Sequence, residues 1–106
     1  MNYEVQLSDR AQLDIDEVTA WFVSQHASDA SDRWLSAFFQ TLSQLSFDPS
    51  RHQIADEFLE SGREIRELHH GKRPNVHRVF FEIHGGTVSV LRIWHSARAS
   101  LGADEL

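Results

Sequence analysis

Val76-His77-Arg78-Val79-Phe80-Phe81-Glu82-Ile83-His84-Gly85-Gly86-Thr87-Val88-Ser89-Val90-Leu91-Arg92-Ile93-Trp94-His95 is the stretch on which the fold turns. Val79, Phe81 and Ile83 alternate with Arg78, Phe80 and Glu82; Val88, Val90 and Arg92 alternate with Ser89, Leu91 and Ile93. Successive side chains on a strand point to opposite faces, so this period of two predicts strands over 76–84 and 87–95. Gly85-Gly86 between them suits a two-residue hairpin turn in which both positions take positive φ. That turn sets a register with Ile83 opposite Val88, Phe81 opposite Val90, Val79 opposite Arg92 and His77 opposite Trp94. The other side of the ribbon then pairs Glu82 with Ser89, Phe80 with Leu91, Arg78 with Ile93 and Val76 with His95. Both faces are largely apolar. One is expected to pack on a core, and the other, carrying Arg78, Glu82 and His95, is left for a partner or substrate.

Working outward, Glu64–His69 reads as a further strand, and Pro49–Gly62 as a loop with a helical turn around Ala55–Leu59. Before it, Ala30, Trp34, Ala37, Phe38, Thr41, Leu42 and Leu45 recur at helical spacing. This helix begins near Asp29 and stops at Asp48-Pro49, because proline disfavours helical geometry in the preceding residue. Ala11, Ile15, Val18 and Phe22 mark an earlier helix, capped by Ser8 or Asp9. Gln25–Ser28 is the turn between the two, and Tyr3–Leu7 alternates as a short strand. The order is β-α-α-β-β-β. It predicts an α+β domain in which a two-helix hairpin packs on a small antiparallel sheet, as one unit over residues 1–106.

With 106 residues, 41% hydrophobic, the chain is sized for one globular domain. It has no cysteine, which excludes a disulfide scaffold, a thiol nucleophile and a thiolate metal site. The net charge of −6 is unevenly spread. Residues 1–50 carry Glu4, Asp9, Asp14, Asp16, Glu17, Asp29, Asp32 and Asp48 against Arg10 and Arg33. Residues 61–100 carry Arg63, Arg66, Lys72, Arg73, Arg78, Arg92 and Arg98 against Glu64, Glu67 and Glu82. Surfaces bind through local potential, so the basic half is the candidate docking half. The N-terminus has no basic, apolar leader and the apolar runs are too short to cross a bilayer. A soluble, cytoplasmic protein that leaves the membrane alone is expected.

These segments, in this order, resemble the RelE/ParE superfamily of toxins. Leu7-Ser8-Asp9-Arg10-Ala11 with Leu13 and Ile15 is similar to the family's first strand entering its first helix. Ile65-Arg66-Glu67-Leu68 is similar to its R-x-L strand, and His77–Ile83 to its Y-R-V-x-Y-x-V strand. Val88–Arg98 is similar to its closing V-x-V-L-R-I-x-H-x-x-R segment. The resemblance implies a cognate antitoxin that wraps the toxin. It also implies one of two targets: messenger RNA on the ribosome, cut by RelE-like members, or DNA gyrase, inhibited by ParE-like ones.

Metal-independent RNA cleavage needs a base for the 2′-hydroxyl, an acid for the leaving oxygen and a cation for the charged phosphorane. By the resemblance, Arg78, Arg66 and Arg98 stand at the basic positions and His95 is the proton carrier. Each also has a structural reading: Arg78 paired with Glu82 on one strand face, Arg66 solvated between Glu64 and Glu67, Arg92 in a salt bridge, His95 hydrogen-bonded at a strand end. Lys72, Arg73, Arg92 and Trp94 are the candidate binding residues. Trp21 and Trp34 belong to the core or face an antitoxin. Asp14, Asp16 and Glu17 read as a solvated helix face. His69-His70 and His77 match no standard metal spacing, and no metal or cofactor is expected. The single tyrosine, Tyr3, lies in the first strand, the second strand has one arginine, and the charge is acidic for work on RNA. The ending His95-Ser96-Ala97-Arg98-Ala99-Ser100-Leu101 is closer to ParE. The expectation is therefore a ParE-like toxin that binds gyrase. A RelE-like endoribonuclease and an inactive binding module on the same fold are the alternatives.

Overall fold

The computed structural model describes residues 2–106. Its main elements are β1 (Glu4–Leu7), α1 (Asp9–Ser24), α2 (Ser28–Ser43), β2 (Arg66–Lys72), β3 (Asn75–His84) and β4 (Thr87–His95). The four strands form one sheet in the order β1-β4-β3-β2, and the helical hairpin lies across one face. The β-α-α-β-β-β order is as the sequence predicts. β2–β3 and β3–β4 are antiparallel, while β1 adds a parallel edge beside β4.

Ser8 makes the junction between β1 and α1. Its hydroxyl oxygen accepts from the Ala11 amide at 3.0 Å, which satisfies a free donor of the first helical turn. The same hydroxyl donates to the Leu91 carbonyl at 2.9 Å. One side chain thus caps a helix and ties it to the last strand. α2 is shorter than expected. It stops at Ser43, and 3₁₀ turns at Gln44–Ser46 and Pro49–Arg51 carry the chain past Asp48, which sits in the left-handed region at φ 43°. The turn expected around Ala55–Leu59 is a 3₁₀ segment over Asp56–Ser61. β2 starts and ends later than its sequence pattern suggests, because Gly71 and Lys72 continue the ladder opposite Val76 and Asn75. A Cβ on Gly71 would come within 2.3 Å of the Asn75 carbonyl oxygen, so this close crossing needs glycine.

The hairpin register departs from expectation halfway along. Ile83↔Val88, Glu82↔Ser89 and Phe81↔Val90 pair as predicted. Phe80 then pairs with Arg92, Val79 with Ile93, Arg78 with Trp94 and His77 with His95, leaving Leu91 as an extra residue. A bulge of this kind shifts the alternation by one position. Strict alternation from Val88 would aim Arg92 and Trp94 at the helices; after the bulge Ile93 and His95 point there instead. At the Gly85-Gly86 turn, only Gly85 takes a positive φ, at 57°.

The main core lies between helices and sheet. Ala11, Ile15, Phe38, Leu42 and Leu45 meet Leu68, Val79, Phe81, Val88, Val90 and Ile93. The opposite face is not the open surface the sequence suggested. Phe80 and Trp94 on that face are covered by Ala55, Phe58, Ile65 and Leu101 in a second, smaller core. Two aromatic rings on a three-strand face leave too much apolar area for water, and the irregular segments before β2 and after β4 close over it.

Candidate functional site

On the far face, Arg78 is fully engaged. Its guanidinium donates to both carboxylate oxygens of Glu57, at 2.8 and 2.6 Å, and to Glu67 at 3.2 and 2.8 Å. These bonds, led by Glu57, hold Arg78 more firmly protonated than usual. Burial pushes the Glu67 carboxyl up, but hydrogen bonds from Arg78 and His69 outweigh it and leave its pKa below the ordinary value. Glu82, expected to pair with Arg78, instead takes Arg63, at 2.5 and 2.9 Å. The β3–β4 face thus carries an array of paired charges and no free cation at Arg78.

Arg92 and Trp94, expected on a binding surface, are interior, at 6% and 5% exposure. β1 pairs with β4 only as far as Val90, and beyond that point the first turns of α1 run along the strand edge. Asp14, expected in solvent, is buried there. Its Oδ2 accepts the Ile93 amide at 2.8 Å, in place of a missing neighbouring strand. Both its oxygens accept from Arg92, at 2.8 and 3.0 Å, and Arg92 also donates to the Glu105 carbonyl at 2.6 Å. Trp94 donates its indole N–H to the Ala99 carbonyl, and the Arg98 guanidinium lies 3.7 Å above its ring.

His95 lies on the helix face, beside His77, with ring centroids 5.0 Å apart. Directly opposed residues share a face, and Arg78 opposes Trp94 on the other side. Arg78 and His95 are therefore separated by the thickness of the sheet. Arg66 opposes Phe81 on the helix face, at the far end, where it donates to the Ser50 and His52 carbonyls at 2.9 and 2.7 Å. The four candidate catalytic residues do not converge. Lys72 and Arg73 sit at the exposed β2–β3 turn, and neither they nor Arg98 forms an ion pair among the described residues.

What does converge is a row of histidines. His70, His77 and His95 stand on neighbouring strands on the helix face, as the pairs His70↔His77 and His77↔His95. They line a groove of about 650 Å³ with Trp21, Phe22 and Trp34. Trp34 stacks on Phe38 at 4.8 Å and meets His77 edge-on at 5.4 Å. Burial, with lesser repulsion from His95 and His70, pushes the His77 pKa down to about 4, so this ring is neutral at pH 7. Burial also lowers His70, whose Nδ1 is hydrogen-bonded to the Thr41 hydroxyl at 2.8 Å. The His95 Nδ1 accepts the Ala97 amide at 3.0 Å, which places the proton of the neutral ring on Nε2. Among the described residues no group of three or more His, Asp or Glu is gathered to hold a metal ion.

The sequence missed this row because it ended the second strand at His69 and lacked the bulge. Extending the strand through Lys72 and shifting the register at Leu91 would have aligned all three histidines.

The fold and its sites define a small α+β domain in which Arg66, Arg78 and Arg92 are held by partners within the chain. The model of the ParE toxin of type II toxin–antitoxin systems, parDE, matches residues 5–100, and the chain belongs to that family. Among solved structures, a chain from a chromosomal ParDE toxin–antitoxin system of P. aeruginosa superposes with a TM-score of 0.70. That match covers 88% of this chain and 95% of the other at 13% identity, a likeness of fold. No curated protein matches the sequence. Among the described residues no helix is long and apolar enough to cross a membrane.

Proposed function

We propose that this toxin acts in the ParE manner, by binding DNA gyrase, and not by cutting RNA. The observation that supports it is the placement of Arg78 and His95 on opposite faces, with Arg78 held by Glu57 and Glu67. Acid–base cleavage needs its proton carrier and its phosphate-binding cation within reach of one substrate phosphate. The toxin works as one domain over residues 1–106, in the cytoplasm, without a cofactor. A cognate antitoxin neutralises it. Within the basic half, Lys72, Arg73 and Arg98 form no ion pair among the described residues and are available to an acidic partner.

The test is a supercoiling assay with purified protein and gyrase, run beside a ribosome-dependent mRNA cleavage assay. Inhibition of supercoiling without mRNA cleavage is expected. The triple variant K72E/R73E/R98E should weaken inhibition, while Arg78→Ala, if folded, should leave it within about threefold, under 1 kcal/mol. Cleaved mRNA, abolished in Arg78→Ala and His95→Ala, would establish the RelE-like reading. Neither activity would make this chain a binding module on a toxin fold.

A further inference from the structure

The groove between the helical hairpin and the histidine row holds hydrogen-bond donors that no other described residue uses. We propose that it binds a neutral aromatic carbonyl compound, with the flat ring among Trp21, Phe22 and Trp34 and the carbonyl oxygen accepting from His77, with His95 beside it. This goes beyond the toxin's target and does not rest on it.

Three observations carry it. The first is size and lining. The volume, about 650 Å³, falls in the range of sites that enclose small organic ligands, and the two tryptophans, Phe22 and Ile93 make much of the wall apolar.

The second is the His77 ring. It lines the groove and is only 8% exposed, yet its Nδ1 is sealed without a hydrogen-bond partner. A neutral imidazole carries one N–H, and an unmatched donor is rarer in a protein interior than an unmatched acceptor. The proton therefore belongs on Nε2, which makes no hydrogen bond among the described residues and is not sealed as Nδ1 is. His95, with its ring centroid 5.0 Å away, also carries its proton on Nε2, because its Nδ1 accepts the Ala97 amide. Two neighbouring imidazoles thus offer N–H groups and call for an acceptor on the ligand.

The third is charge. Asp14 lines the groove but is held by Arg92, whereas Glu17 lines it without an ion pair among the described residues. Arg98 is the one arginine or lysine of the lining, and its guanidinium is turned away, 3.7 Å over Trp94 on the opposite face of the sheet. An anion would enter beside Glu17 with no cation to meet it, and burying an unpaired charge is costly. A cation would find Glu17 but give the imidazole N–H groups nothing. A ketone or amide oxygen accepts their hydrogen bonds and brings no charge.

The experiment is a nuclear magnetic resonance titration of the purified protein at neutral pH with three compounds on one ring frame. They are 1-indanone, a neutral ketone, indane, which has no acceptor, and indane-1-carboxylate, an anion. Saturable binding of the ketone is expected, with shifts at the His77 and His95 Nε2 atoms and the Trp21 and Trp34 indoles. Indane and the carboxylate should each bind about fivefold more weakly. His77→Phe keeps a flat ring and removes the donor, so it should weaken the ketone about fivefold and leave indane unchanged. His95→Phe, at a half-buried strand end, makes the same comparison if the first variant does not fold, with a loss of about threefold. Trp21→Ala, at a residue 60% exposed, should weaken ketone and indane alike. Absence of saturation at millimolar ketone, equal affinity for ketone and indane, or a carboxylate that binds more tightly than the ketone would overturn the proposal. So would a preference for ketone over indane that survives in both histidine variants.

Discussion

The two faces of the sheet are built from alternate residues of the same three strands, yet they end differently. The helix face is covered by two regular helices that leave an aromatic, histidine-lined groove at the β2–β3 end. The far face is covered by irregular chain, Ala55–Ser61 and Ala99–Leu106, and is closed over Phe80 and Trp94. A twisted sheet turns away from a straight helix along its length, so helices leave wedges where irregular segments follow the contour. The far face also pairs its charges, Arg63 with Glu82 and Arg78 with Glu57 and Glu67. Regular cover leaves room for a partner; irregular cover produces a sealed surface.

The comparison can be broken at its seam. Asp14 joins the faces by holding both Arg92 and the Ile93 amide, so Asp14→Ala leaves a buried guanidinium and a buried N–H unmatched. A loss of roughly 3–5 kcal/mol in denaturant unfolding is expected. A loss below about 1 kcal/mol would mean that water reaches this edge and the seam is not needed. Phe58→Ala removes the ring that meets Phe80 edge-on at 5.3 Å and should cost about 3–4 kcal/mol. It should also raise protease cleavage within 56–61, and equal cleavage in α2 would show that the two covers are not independent.

Acid should tell the faces apart. Unfolded His77 takes a proton near pH 6.5, but folded His77 only at about 4. As pH falls through this window the unfolded chain binds a proton that the folded chain excludes, so stability drops; above 6.5 the contribution is constant. The drop should approach roughly 2–3 kcal/mol. His77→Phe should flatten the profile between pH 4 and 6.5, and an unchanged slope in that variant would place the titration elsewhere. The smallest effect is expected at Arg63→Gln. This exposed ion pair with Glu82 should be worth about 0.2–1 kcal/mol and fade with salt.

Local patterning made most of the fold legible. Period-two residues marked β3 and β4, helical spacing marked α1 and α2, and Ser8 was one of two caps that the sequence offered. The site was less legible because it depends on one uncounted residue. Leu91 looks like any other apolar position in an alternating strand, and nothing local announces that the ladder skips it. Asp14 was equally hidden. Beside Asp16 and Glu17 it reads as a wet helix face, and its burial follows from β1 ending four pairs into β4. Arg78 was identified as notable, but its partners Glu57 and Glu67 come from a loop and a neighbouring strand that only the tertiary structure brings near.

The Ser8 hydroxyl reaches across 83 positions to Leu91, and Asp14 across 78 to Arg92. A chain leaving the ribosome therefore presents its helical hairpin long before the strand that completes it. At roughly 5–20 residues per second that interval lasts seconds, and closure of such distant pairs is slow in itself. The finished domain becomes available only after the last strand emerges, which gives the cell a delay, set by the topology, between starting this protein and having to contain it.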